Sequence, residues 1–280
     1  EPAQGSALFG VFPWAIPNPC GPPQKIPYRV PGIDPTLFSA SVPDTYFISD
    51  LHLEPGSPAR LQALARLLRR IPDCDALYIL GDLFDAWIGD DDDADHVRET
   101  RRLLRDFSDS GAALCLMHGN RDFLIGEDFC AAAGATLLAD PARIELYGEP
   151  TLLMHGDSLC TRDTAYQAFR ALSRQPAWRA QVLARSLEER RAMAADLRRH
   201  SRAATGNKPD AIIDVTPAAV DRAMTNHGVQ RLIHGHTHRP GRHAMPAGVR
   251  WVLGDWDGAE SWLLRVDSEN AELIKAPIDQ

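Results

Sequence analysis

The sequence predicts an α/β protein, a sheet of buried strands flanked by helices with a second, partly antiparallel sheet packed against it. Three observations carry that reading. From Thr45 onward, short β-branched or apolar runs alternate with amphipathic helical stretches. Motifs bearing aspartate and histidine follow directly on the ends of those runs. Beyond Gln230 the chain reads as further short strands, whose alternation suggests the second sheet.

Taken in order, residues 1–43 come first and differ from everything after them. Prolines recurring from Pro13 to Pro43 interrupt any helix or ladder. The stretch is expected to be an irregular extension with no catalytic role. It opens on Glu1 rather than a basic region, unlike a secretory signal. One domain is then expected over 44–280. Thr45 to Ser49, Ala76 to Leu80, Ala113 to Met117 and Thr151 to Met154 read as buried strands. Between the first two, Ser57 and Pro58 supply an N-cap and a first-turn proline, and Leu61, Leu64 and Leu68 fall on one helical face. Further helices are expected from about Asp95 to Ser110 and from about Phe123 to Ala133. The closing strands are Arg231 to Ile233, Val249 to Leu253, Ser261 to Val266 and Ala271 to Ile274.

Composition bounds the function. A chain of 280 residues, 44% hydrophobic and 24% charged, can bury one sizeable core. The formal net charge of −8 disfavours a nucleic-acid partner. Five widely spaced cysteines without a C-x-x-C pair fit a reducing compartment. No apolar run approaches the roughly 18 residues of a membrane span, so membrane contact is expected to be peripheral.

The chemistry sits at the strand ends, where open α/β sheets bind ligands. Asp50-Leu51-His52 follows the first strand, and residues i and i+2 of an extended chain point the same way. The second ends in Gly81-Asp82-Leu83-Phe84-Asp85, where Asp82 can bridge two cations and Asp85 braces the loop. The third ends in His118-Gly119-Asn120-Arg121-Asp122, offering an amide oxygen, and the fourth in Met154-His155-Gly156-Asp157. The strand after Gln230 ends in His234-Gly235-His236-Thr237-His238. Five strand ends each present a ligand. Carboxylate, amide and imidazole without thiolate favour Mn²⁺, Fe²⁺, Zn²⁺ or Mg²⁺. Two such ions sharing a carboxylate lie about 3.5–4 Å apart, a spacing suited to in-line attack on phosphorus.

D-x-H, G-D-x-x-D, G-N-x-D, H-G and G-H-x-H in this order resemble the calcineurin-like metallophosphoesterases. The runs TYFISDLHL, ALYILGDLFDAWIGDDD, HGNRDFLIG, LMHGDSLCTRDTAYQAFR and LIHGHTHRP are similar to those of the UDP-2,3-diacylglucosamine hydrolases of lipid A synthesis, and the similarity runs from about Thr45 to Ile274. The resemblance implies a β-sandwich flanked by helices with a helical lid insertion. It also implies hydrolysis of UDP-2,3-diacylglucosamine to UMP and 2,3-diacylglucosamine 1-phosphate at the cytoplasmic face of the inner membrane. Two divalent ions, Mn²⁺ in the family, would be held by Asp50, His52, Asp82 and His238 and by Asp82, Asn120, His155 and His236. Asp82, Asn120, Arg121, His155 and His236 would serve the reaction. Substrate contacts would fall at Asn120, Arg121, Asp163, Tyr166, Ser201, Thr205, Lys208 and His236, although the family more often has Asn where Thr205 stands.

Many superfamily members carry histidine after the G-N pair, where it protonates an alkoxide leaving group. Here the residue is Arg121, which cannot act as an acid. The leaving group of a pyrophosphate is a phosphate monoester with a second pKa near 6, so it needs little protonation. Arg121 can instead neutralise phosphate charge. The segment 161–208 reads as the insertion, with eleven Arg or Lys against four Asp or Glu. Tyr166, Phe169, Leu172, Trp178, Val182, Leu183, Leu187, Met193 and Leu197 recur there at helical spacing. Such helices either pack as ordinary core or form a lid that holds acyl chains and rests on anionic headgroups. The acidic run Asp90 to Asp93 reads as a solvated loop. The alternative function is a related metallophosphoesterase acting on soluble phosphodiesters or nucleotide pyrophosphates. A non-catalytic scaffold would be expected to have lost ligands, and none is missing.

Overall fold

The structure, a computed structural model, describes residues 43–205, 209–257 and 260–277. The extension expected over 1–43 lies, apart from Pro43, outside the described residues, as do Lys208 and the side chain of Thr205.

Two sheets face each other. The first has the order β11-β10-β1-β2-β3-β4, formed by β1 (Thr45–Ile48), β2 (Ala76–Leu80), β3 (Ala113–Met117), β4 (Thr136–Leu138), β10 (Glu260–Val266) and β11 (Ala271–Pro277). Strands β1 to β4 run parallel, β10 pairs antiparallel with β1, and β11 antiparallel with β10. The second sheet has the order β5-β6-β7-β9-β8, from β5 (Ala142–Leu146), β6 (Glu149–Met154), β7 (Arg231–His234), β8 (Gly241–Met245) and β9 (Gly248–Val252). Helices α1 (Pro58–Arg70), α2 (Asp95–Ser108) and α3 (Glu127–Ala133) connect the parallel strands of the first sheet.

The two-residue period of a strand explains why both faces are dry. In β2, Ala76, Tyr78 and Leu80 point to the core between the sheets, whereas Leu77 and Ile79 point to the core under α1 and α2. In β3, Cys115 and Met117 face inward while Leu114 and Leu116 meet the helices. Across the sandwich, Leu153 and Ile233 face inward, and Leu152 and Leu232 pack against α8 (Pro217–Asn226) through Val220 and Met224. The result is four layers: helix, sheet, sheet, helix.

Three expectations are corrected. The closing strands do not all form the second sheet, because β10 and β11 complete the first beside β1, while β6 belongs to the second. Strands β4, β5 and β8 lacked a long enough apolar run to be recognised. The third helix begins at Glu127, not near Phe123, because residues 123–125 turn to bury Phe123, Leu124 and Ile125 in the core.

Between β6 and β7 the chain inserts α4 (Thr164–Ser173), α5 (Pro176–Leu183), α6 (Leu187–Thr205) and α7 (Asp210–Ile213) ahead of α8. The acidic run is solvated only in part: Asp91 and Asp93 are exposed, yet all four carboxylates have partners. Asp90 accepts from the Gly126 and Phe129 amides at 2.9 and 3.0 Å, closing the start of α3. Asp91 pairs with the buried Arg190 of α6 at 2.7 and 2.5 Å, and Asp92 and Asp93 pair with Arg191 at 3.0 and 3.2 Å. Two cationic residues of α6 thus turn the run into a docking surface. Among the described residues no helix is long and apolar enough to cross a membrane.

Candidate metal centre

The loops that follow β1, β2, β3, β6 and β7 converge at one edge of the sandwich. Five of their side chains leave backbone in the left-handed region: Asp50 (φ 56°), His52 (49°), Asp82 (51°), His236 (69°) and His238 (54°). For residues other than glycine such a conformation costs on the order of 1–3 kcal/mol, and it persists only where the surroundings enforce it. Glycine makes the convergence possible at two points. A Cβ on Gly119 would stand 2.0 Å from Asp82 Oδ1, and one on Gly235 would stand 2.4 Å from Asp50 Oδ2. Both positions therefore exclude any larger residue.

The convergence brings donor atoms together. Asp50 Oδ2 accepts from Ser49 Oγ at 2.5 Å and from the His236 amide at 2.9 Å, while buried Oδ1 makes no hydrogen bond and faces His238 Nε2 at 3.4 Å. His52 Nε2 lies 3.3 Å from His238 Nε2, and its buried Nδ1, also unpartnered, lies 3.9 Å from Asp82 Oδ2. On the other side of Asp82, Oδ1 is 3.8 Å from His155 Nε2. Asn120 Oδ1 sits between His155 Nε2 at 2.9 Å and His236 Nδ1 at 2.7 Å. His155 Nδ1 meets the Leu80 carbonyl at 2.9 Å, which fixes that nitrogen as the donor and leaves Nε2 to the cluster. Asp122 braces the arrangement by accepting from the Leu83 and Gly119 amides, each at 2.7 Å.

Electrostatics say what the cluster wants. Burial pushes the Asp82 carboxyl up to about 7, partly opposed by His155 and Arg121. Burial also acts to raise Asp50, but the charges of His238, His155 and His52 overcome it and hold that carboxyl well below the usual range. His155 rises to about 9 and His238 to about 10, because neighbouring carboxylates outweigh burial. Burial carries His236 down to about 4 and His52 well below its ordinary value. Two buried carboxylates thus demand positive charge. Asp50, His52 and His238 form one group, and Asp50, Asp82 and His155 another, with ligand atoms within 4.8 Å of one another. The orphaned Asp50 Oδ1 and His52 Nδ1, aimed into this hard oxygen and imidazole set, fit divalent cations.

The calcineurin-like phosphoesterase family matches residues 44–240. This chain belongs to that family. A UDP-2,3-diacylglucosamine hydrolase of Chromohalobacter salexigens is 52% identical, covering 80% of this chain and 94% of the relative. Proteins of that name from Marinobacter nauticus (48% identical, 84% and 98% covered) and Cellvibrio japonicus (50%, 79% and 94%) are similar over comparable spans.

Beside the phosphoesterase cluster opens a cavity of about 700 Å³. Asp82, Asn120, Arg121, His236 and His238 line its polar end, and Trp87, Phe123, Phe169, Trp178, Val182, Met193 and Leu197 its apolar end. The inserted helices thus supply much of the apolar wall. Asp163, Tyr166 and Ser201 also line it. Asp163 accepts from the Tyr166 amide at 3.2 Å as the N-cap of α4. The Tyr166 ring stacks on His236 at 6.2 Å, and its hydroxyl donates to Asp157, as does Arg170 Nε at 2.9 Å. Leu187 does not line the cavity, and Leu172 and Leu183 are exposed.

Three contributors escaped the sequence reading. Asp255, after β9, meets His238 Nδ1 at 3.0 Å and so turns Nε2 toward Asp50. Nothing in Gly254-Asp255-Trp256 signals this, because the pairing spans a loop the motifs do not include. Arg198 of α6 places Nε and Nη2 2.8 and 2.7 Å from Asp85, which Arg121 also contacts. Asp157, in a quoted motif but given no role, ties the His155 loop to α4.

Proposed function

We propose that this chain hydrolyses UDP-2,3-diacylglucosamine to UMP and 2,3-diacylglucosamine 1-phosphate. The observation that carries the reading is the joining of a polar cluster to an apolar cavity of about 700 Å³ walled by the inserted helices. Such a cavity suits a substrate whose reactive pyrophosphate is attached to acyl chains. Relatives about half identical to this chain carry the name of that activity. One cation site is assigned to Asp50, His52, Asp82 and His238 and the other to Asp82, Asn120, His155 and His236, with Mn²⁺ as the metal. Two divalent cations bound there supply Lewis-acid activation of water and charge neutralisation on the phosphates.

The chain's own residues do the rest. Asp122, Asp255 and the Leu80 carbonyl hold the ligand side chains in place before substrate arrives, so little reorganisation accompanies reaction. Arg121 neutralises charge on the pyrophosphate, and its backbone amide donates to Asp82 Oδ1 at 2.8 Å, tying that loop to the shared carboxylate. Water adds to one phosphorus, and the bridging oxygen departs on the other as a phosphate monoester, which needs no strong acid at neutral pH. Asp163, Tyr166 and Ser201 are assigned to the sugar end, and Thr205 and Lys208 remain part of this assignment on sequence grounds. The helices α4 to α6 act as a lid. Their exposed Leu172, Leu183 and Leu197, set among arginines, support peripheral contact with an anionic lipid surface at the cytoplasmic face of the inner membrane.

Purified protein reconstituted with Mn²⁺ should bind two ions per chain and cleave UDP-2,3-diacylglucosamine far faster than UDP-N-acetylglucosamine. Equal turnover of both would overturn the lipid assignment in favour of a soluble nucleotide pyrophosphate.

A further inference from the structure

The apolar cavity accounts for one end of the proposed substrate and leaves the other unplaced. A second cavity, about 250 Å³, opens at the same cluster, lined by the candidate ligands His52 and His238. Among the described residues no apolar side chain lines it. Its lining includes the exposed Glu54, Arg202 and Asp257 and the less exposed Arg60, Asp85, Asp255 and His52. Arg121, Arg198 and His238 line both cavities, so the two meet at the cluster.

We propose that this second cavity binds the nucleotide end of the substrate, a pyrimidine nucleoside monophosphate group. The proposal rests on the function assigned above. A molecule with acyl chains at one end, a nucleotide at the other and a pyrophosphate between them must cross the cluster at its pyrophosphate. With the acyl chains in the apolar cavity, the nucleotide emerges on the wholly polar side. Arg60 is positioned for it. Its Nη1 donates to the His52 carbonyl at 2.9 Å and its Nη2 to Asp257 at 3.0 Å, holding the guanidinium at the cavity wall with donors to spare. Arg202 on α6 lines the same cavity and supplies a second guanidinium. Guanidinium groups form strong charge-assisted bonds to phosphate oxygens, and the carboxylates of Glu54 and Asp257 accept hydrogen bonds from ribose hydroxyls. Binding at this cavity also discriminates, because a lipid phosphate lacking a nucleoside leaves it empty.

The test uses the full chain loaded with Mn²⁺. Calorimetry with UMP, and separately with 2,3-diacylglucosamine 1-phosphate in detergent, compares wild type with Arg60→Gln, Arg202→Gln and their combination. In the double variant the Kd for UMP should rise by on the order of tenfold or more, while that for the lipid phosphate stays within about twofold. Arg60→Lys should recover part of the loss. Bound metal, measured in parallel, should remain at the wild-type level, which separates a lost contact from a collapsed His52 loop. UMP affinity unchanged in the double variant, absent in wild type, or lost in step with lipid affinity overturns the subsite. Wild-type protein that cleaves UDP-2,3-diacylglucosamine while its UMP affinity ignores both arginines rejects the subsite alone. Wild-type protein that fails to cleave it rejects the assigned function, whatever UMP binding shows.

Discussion

Replacing Arg190 with alanine should loosen the inserted helices while leaving the sandwich intact. The Arg190 side chain is 4% exposed, and its guanidinium reaches the Ile88 carbonyl at 2.6 Å, the Arg185 carbonyl at 3.0 Å and both Asp91 oxygens. Removing it orphans the carbonyl of buried Ile88, which costs about 1–3 kcal/mol. The pair with Asp91 adds only about 0.2–1 kcal/mol, because that carboxylate is 58% exposed and screened by water. The total of about 1–4 kcal/mol falls on the docking of α6, since both Ile88 and Asp91 lie on the loop it covers. At about 1.4 kcal/mol per factor of ten, opening of α6 should become roughly five- to several-hundred-fold more populated. Hydrogen exchange followed by mass spectrometry reads this directly. Amides of α5 and α6 should exchange faster by that factor, with those of α1 and β2 unchanged. Exchange in α6 within about threefold of wild type would show that the acidic run does not anchor the helix.

Further outcomes follow from the cluster and the cavity. Asp82→Ala, which removes the carboxylate assigned to both cations, should lower turnover by more than about a hundredfold, the most that loss of a ligand's supporting partner costs. Near-normal kcat at saturating Mn²⁺ would refute the shared role. Asp255→Ala should weaken Mn²⁺ binding by about ten- to a hundredfold through the freed His238 ring, read by titration against a fluorescent chelator; unchanged affinity refutes the support. In metal-free protein, folding raises His155 to about 9 and His238 to about 10 from an ordinary 6.5, so the folded chain holds protons the unfolded chain has released. Their stabilisation is complete below about pH 6.5 and drains away as pH rises through 9 and 10, while His52 and His236, held down, titrate below that window. The denaturation midpoint in chelator should therefore fall between pH 6.5 and 9, and a flat profile would contradict it. Met193→Ser with Leu197→Ser removes apolar cavity wall at about 0.8 kcal/mol per methylene no longer buried. KM for the lipid substrate should rise at least about tenfold, with hydrolysis of bis(p-nitrophenyl) phosphate unchanged; equal losses on both would mean the helices support the cluster.

Local pattern made much of this protein legible. Strands β2 and β3 carry unbroken apolar runs of five residues, and their ends are marked by glycine beside aspartate or asparagine, so their bounds and their motifs were both readable. What pattern could not supply was partnership between distant segments. The apolar run of β10 does not say that it pairs with β1 through Thr45 and Val266 rather than joining β9. Asp90 to Asp93 carry the composition of a solvated loop, and only the fold brings Asp90 to the start of α3 and sets Asp91, Asp92 and Asp93 against arginines of α6 about a hundred residues later. Leu187 and Met193 have equal claims in a helical pattern, yet only Met193 reaches the cavity. Asp255 was invisible for the same reason.

The left-handed backbone at Asp50, His52, Asp82, His236 and His238 bears on how such a chain can be improved. Stabilisation campaigns favour residues that relieve backbone strain, and an asparagine or glycine at His52, Asp82 or His236, whose burial is unfavourable without a cation, would score well in a metal-free melting screen. A glycine there would remove a donor atom outright, and an asparagine would replace a carboxylate or imidazole with a weaker neutral amide. Libraries for a hardier version should therefore be screened with cations present and should draw their changes from the outer faces of α1 and α2, where ordinary helix propensity can be raised without touching the loops.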